Sequence, residues 1–122
     1  MIKGIGTDIT EIPRIAEMLK DTRFLEKYFS EAERAMFASK KHRASSVAAN
    51  FAAKEAFSKA LGTGVRGFNL CDIEVLRNAL GMPYIVLHNQ AKVIADGMGV
   101  THIHVSLSHS DDNAIAFVVV EY

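Results

Sequence analysis

Cysteine is nearly missing from this chain: Cys71 stands alone among 122 residues. One thiol forms no disulfide within the chain and builds no cysteine-based zinc cage. Such a chain fits a reducing compartment. Only Pro13 and Pro83 interrupt it, and no Ser/Gly-rich stretch separates one half from another. Linker, repeat and low-complexity signals are therefore lacking, and a single domain over 1–122 is expected. A charge of one sign is lacking too, since 14 Lys and Arg balance 14 Asp and Glu. Nucleic-acid binders draw most of their affinity from a basic excess, so nucleic acid is not an expected partner. Long apolar runs are also missing. The longest, Ala114 to Val120, is far short of the roughly 20 residues that span a bilayer, so no membrane association is expected. Near the start, Asp8 and Glu11 fall where a secretory signal would need an apolar run. A cytoplasmic location is the reading that results.

What is present is ordinary for a folded domain: 49% hydrophobic and 23% charged residues. At this length folding buries roughly 65–70% of the surface of the extended chain. The charges are uneven. Arg34, Lys40, Lys41, Arg43, Lys54, Lys59 and Arg66 share a stretch whose single acid is Glu55. A neutral protein with a local basic face suits an anionic ligand.

Residues 2–12 alternate like a strand, and Pro13 suits the first turn of a short helix, Arg14 to Leu19. Ser30 and Glu33 have capping-box spacing and start a helix of about ten residues. A long helix is predicted from Arg43 to Leu61, ended by Gly62-Thr63-Gly64. Cys71 to Leu76 and Tyr84 to His88 read as a hairpin around Asn78 to Pro83. Asn89 is a candidate cap for a helix from Gln90 to Asp96. His102 to His109 and Ala114 to Glu121 form a second hairpin around Ser110 to Asn113. The sum is an α+β domain, a mostly antiparallel sheet around a long central helix.

Three segments can carry chemistry. Strand alternation puts Gly4, Gly6, Asp8 and Thr10 on one face of the first strand. Two glycines beside one acid leave room either for a bulky ligand or for another backbone crossing closely. On the long helix Phe51, Glu55 and Lys59 stack at i, i+4 and i+8, flanked by alanines. The plain reading is a surface ion pair. The chemical one is that Glu55 meets Asp8 across a groove, two carboxylates holding Mg²⁺ together with phosphate oxygens. Lys54 and Lys59 would then neutralise phosphate charge. In the third segment His102, His104, Ser106 and Ser108 share a strand face, with Val105, Leu107 and His109 opposite. That face either wets a cleft or binds phosphate or ribose. Ser108 and His109 point to opposite sides and make no hydrolase pair.

These segments, GIGTDITEIPRI, FAAKEAFSKALGTG and HVSLSHS, resemble in order the signature blocks of the holo-[acyl-carrier-protein] synthases, the small single-domain phosphopantetheinyl transferases. The resemblance covers residues 2 to about 120. It implies transfer of 4′-phosphopantetheine from coenzyme A to a serine of apo acyl carrier protein, with Mg²⁺ on Asp8 and Glu55. It implies Lys54 and Lys59 facing coenzyme phosphates, with Lys59 assisting the reaction. Gly62, Thr63 and Gly64 would wall the adenosine bisphosphate, and His104 and Ser106 would lie near the coenzyme. Carrier docking would fall on Arg14, Met18 and Arg23. A homotrimer with active sites between subunits is also implied. The proton acceptor stays open between a water on the metal and Glu55. Two positions depart from the usual pattern: Asn50, where many members are basic, and Met82, where many have lysine. A non-catalytic coenzyme-binding module and a Mg²⁺-dependent nucleotide hydrolase are the rival classes.

Overall fold

The computed structural model describes residues 1–122. Strand β1 (Ile2–Glu11) leads into three short helices, α1 (Ile12–Met18), α2 (Arg23–Tyr28) and α3 (Glu31–Ser39), and then the long α4 (Ala44–Ala60). A 3-10 turn at Leu70–Asp72 precedes the hairpin β2 (Ile73–Arg77) and β3 (Pro83–Leu87). Helix α5 (Asn89–Gly97) connects to β4 (His102–His109) and β5 (Asn113–Glu121). The strands make two antiparallel sheets, β1-β5-β4 and β2-β3. No helix is long and apolar enough to cross a membrane.

Helix α4 lies between the elements, and eleven of its side chains, from Val47 to Ala60, are buried. One side packs on the inner face of the three-stranded sheet, against Ala116, Val118 and Val120. The other meets β2, α5 and, toward its start, the aromatic cluster of Phe24, Phe29 and Phe37 under α1–α3. A helix apolar on all sides can only be interior. Phe51, Glu55 and Lys59 remain as its partly exposed stripe.

The glycines of β1 settle the first alternative. A Cβ on Gly6 would stand 2.0 Å from the carbonyl oxygen of Ala56, and one on Gly4 2.0 Å from that of Ala60. The room beside Asp8 is filled by α4 itself, so the glycines serve backbone packing and not a ligand.

The capping box forms as read: the Glu33 amide donates to Ser30 Oγ at 3.2 Å and the Ser30 amide to Glu33 Oε1 at 3.0 Å. Helix α2 was not expected. It has no side-chain cap and persists because Phe24 is buried among Tyr28, Phe29 and Phe51. Asn89 is a correction. It does not cap α5; it is the first residue of that helix, with φ 50°, and its amide nitrogen donates to Asp72 Oδ1 at 3.0 Å. The Asx geometry is instead at Asn78, whose side-chain oxygen accepts from the Leu80 and Met82 amides in the β2–β3 turn.

Candidate active site

Asp8 sits on the inner face of β1, and the close approach permitted by Gly4 and Gly6 brings α4 over it. The Asp8 side chain is 15% exposed. Its Oδ2 accepts from Thr10 Oγ1 at 2.9 Å, and its Oδ1 accepts from Lys59 Nζ at 3.0 Å. Lys59 also donates to the Thr7 carbonyl at 3.1 Å, which anchors the end of its flexible stem. Glu55, one turn before Lys59, is half-buried. Burial pushes its carboxyl above the ordinary value and the charge of Asp8 pushes it further, while Lys59 and Arg14 oppose both. Within one subunit Lys59 therefore contacts Asp8, and Glu55 lies near enough for the two carboxylates to repel.

Asp8 is paired with Lys59, while Glu55 has no ion-pair partner and is repelled by Asp8. Both donors are hard oxygens. That set fits Mg²⁺, which takes one or two carboxylates and fills its octahedron with water and phosphate oxygens. Nowhere in the chain do three or more His, Cys, Asp or Glu side chains converge as a complete metal cage.

Lys54 is a second correction. Its side chain is fully buried, and Nζ donates to Glu33 Oε1 at 2.7 Å and to the carbonyls of Leu70 and Ile73. Burial pulls its pKa down, and Glu33 resists that pull. All three ammonium hydrogens are spent on the interior, so Lys54 faces no coenzyme phosphate. The basic stretch thus divides: Lys54 goes to the core, Lys59 to Asp8 and Lys40 to a separate pocket described below.

His104 and Ser106 lie on the outer face of the sheet, away from α4. The register explains this. Asp8 pairs with Ala116, which pairs with Leu107, all facing inward; Thr7, Phe117 and Ser106 form the neighbouring outward row. His104 Nε2 bonds Glu121 Oε1, and its ring stacks on His102 with centroids 6.4 Å apart. One subunit does not bring them to Asp8 and Glu55. Gly62 and Gly64 take left-handed φ of 82° and 68° in an exposed turn after α4, with open space around both and Thr63 between them. These φ values require glycine for chain reversal, whatever else the turn does.

Arg14, on α1, is exposed and near enough to lower the Glu55 carboxyl. Met18 and Arg23 line a groove of about 470 Å³ with Asp21, Phe24, Lys27 and Tyr28. The Arg23 guanidinium is engaged by its neighbour Asp21 through bonds of 3.1 and 3.0 Å.

A further pocket of about 230 Å³ joins Lys40, Ser108 and His109 to Ser45, Ser46 and Arg77, which sequence reasoning passed over. Small and apolar residues complete its lining. The signal was available for His109, which alternation had placed opposite His104. Arg77 carried no signal, because its contact with Asn50 joins positions far apart in sequence.

The 4′-phosphopantetheinyl transferase superfamily model matches residues 4–118. A holo-[acyl-carrier-protein] synthase of Clostridium perfringens is 47% identical, over 99% of this chain and 95% of its own length. One of Clostridium beijerinckii is 50% identical over 99% and 98%. The crystal structure of the Neisseria meningitidis synthase superposes with a TM-score of 0.93 at 34% identity, covering 100% of both chains. That of Helicobacter pylori, in complex with coenzyme A, gives 0.85 at 36% identity over 96% of this chain and 99% of its own. With this fold, and with matches that run nearly end to end, the chain belongs to the holo-[acyl-carrier-protein] synthases of the 4′-phosphopantetheinyl transferase superfamily.

Proposed function

We propose that this protein transfers 4′-phosphopantetheine from coenzyme A to a serine of an apo acyl carrier protein, at a site built on Asp8, Glu55 and Lys59. The observation that carries the reading is the approach of Asp8 and Glu55 across the β1–α4 contact. Asp8 and Glu55 would hold Mg²⁺, which when bound would supply a Lewis acid for the coenzyme diphosphate. Lys59 adds an ammonium beside Asp8 that offsets charge on the departing phosphate. The carrier serine oxygen forms a new bond to the phosphorus that bears pantetheine. The bond from that phosphorus to the bridging oxygen breaks, the serine proton is released, and adenosine 3′,5′-bisphosphate leaves with the bridging oxygen.

No residue of this chain needs to be the nucleophile. Burial and the neighbouring Asp72 push the Cys71 thiol up, so it is protonated at neutral pH. The groove of Met18 and Arg23, with Arg14 nearby, is the surface proposed to receive the acidic carrier. We further propose a homotrimer whose contacts use the outer face of β1 and β5, where Ile5, Ile9, Ile115 and Phe117 are 59%, 67%, 44% and 42% exposed. His104 and Ser106 border that face and would reach coenzyme held on a neighbouring subunit. A reducing cytoplasmic setting suits the single thiol.

The test is to weigh an apo acyl carrier protein after incubation with this protein, coenzyme A and Mg²⁺. A mass gain of one phosphopantetheine, abolished by chelator, is expected. Release of nucleotide without carrier modification would overturn the transfer reading.

A further inference from the structure

The two carboxylate oxygens of Asp8 have partners of different kinds. Oδ1 accepts from Lys59 Nζ at 3.0 Å, and Oδ2 accepts from Thr10 Oγ1 at 2.9 Å. The Lys59 side chain is 54% exposed, so its ammonium can exchange these bonds for water or phosphate on a flexible stem. Thr10 is 2% exposed, and no water replaces its hydroxyl there.

The strand explains why the hydroxyl stays where it is. Residues 8 and 10 share one face of β1, and across the ladder they stand opposite Ala116 and Ala114. Both alanines are fully buried and bring no polar side-chain atom. Threonine is branched at Cβ and has few choices of χ1. Asp8 Oδ2 is the only partner its hydroxyl has, and a buried hydroxyl left without an acceptor is costly. The bond therefore persists and fixes the plane of the carboxylate. Oδ2 is committed to the fold, while Oδ1 is the oxygen whose partner can leave. Mg²⁺ demands near-ideal octahedral geometry, so the orientation of a carboxylate that holds it matters.

We propose that Thr10 is a positioning residue for Asp8: its hydroxyl holds Oδ2 and leaves Oδ1 as the oxygen that meets the divalent cation. This rests on the transferase reading above. Mn²⁺ serves as the probe. Its binding to the protein with coenzyme A is followed by electron paramagnetic resonance of the free ion, with coenzyme A alone as the blank. Thr10→Val keeps the branched shape and removes the donor. Its Kd for Mn²⁺ should rise about tenfold, the lower end for losing a group that orients a metal ligand. Thr10→Ser restores the hydroxyl and should return most of that affinity. The thermal midpoint of the coenzyme-free protein should move by less than about 5 °C in either variant. A purely structural role would leave the Kd unmoved. The Mg²⁺ needed for half-maximal transfer should rise in step with the Kd, with KM for carrier protein unchanged. In an Asp8→Ala background, Thr10→Val should add nothing. A further loss there would make Thr10 a ligand in its own right and overturn the positioning role. Wild-type affinity for Mn²⁺ in Thr10→Val would overturn it too, and would leave the transferase reading standing. A wild-type protein that transfers nothing and binds no Mn²⁺ with coenzyme A would end both.

Discussion

Lys54 and Lys59 stand on the same helix, yet one ammonium is sealed among carbonyls and the other reaches solvent beside Asp8. Their removal should fail in opposite ways. Lys54→Ala leaves Glu33 buried without its partner, which costs about 3–5 kcal/mol. Scanning calorimetry should then show a thermal midpoint lower by roughly 10–20 °C, with KM for coenzyme A unchanged in the protein that remains folded. Glu55→Ala should do the reverse. It relieves a carboxylate that burial and Asp8 already disfavour, so the midpoint holds or rises while transfer falls by at least about 100-fold, the loss typical when charge stabilisation at a reacting group is removed. Helical spacing alone treats both lysines as surface residues. What sequence did offer was the composition of α4, apolar on nearly every side, which places any lysine off the Phe51–Glu55–Lys59 stripe inside the protein. The partner of Lys54 was hidden in plain view: Glu33 was legible as the far half of a capping box, and its second role needed tertiary contact to appear.

At the scale of elements, the site is a consequence of how closely α4 rests on β1. Gly6→Ala would place a methyl 2.0 Å from the Ala56 carbonyl, a rigid backbone atom, so the helix must shift. Overpacking of this kind costs about 1–3 kcal/mol. The same shift draws Glu55 away from Asp8, so Gly6→Ala should lose transfer beyond its loss of stability and should need more Mg²⁺ for half-maximal rate. Gly62→Ala is the control: it strains a left-handed residue by about 1–2 kcal/mol in open space and moves neither carboxylate. Elements with strong local signals were readable within a residue or two, as with α3 behind its capping box, α4 and the two hairpins. Helix α2 was not, because six residues without a cap have no local stability and exist through aromatic packing. The pairing of β1 with β5 was equally invisible, since nothing local links positions so distant in sequence. Asp8 and Glu55 were legible as residues, and their meeting followed once the glycines were seen to admit a helix.

The whole molecule presents a sheet with one face covered by α4 and the other bare. The bare face is apolar along β1 and β5 and polar along β4, where His104, Ser106 and Ser108 stand. A patch of this character on a small domain marks a contact surface. Phe117→Asp should dissociate the proposed trimer, giving monomer mass by sedimentation equilibrium, and transfer should fall with it if His104 serves a neighbouring site. Monomeric wild-type protein at assay concentration would remove the shared-site arrangement. The strand order adds a constraint on folding. The only hydrogen-bonded neighbour of β1 is β5, at the far end of the element order. The ladder that holds Asp8 opposite Ala116 therefore joins segments separated by every other element of the fold, and its closure is a slow step of high contact order.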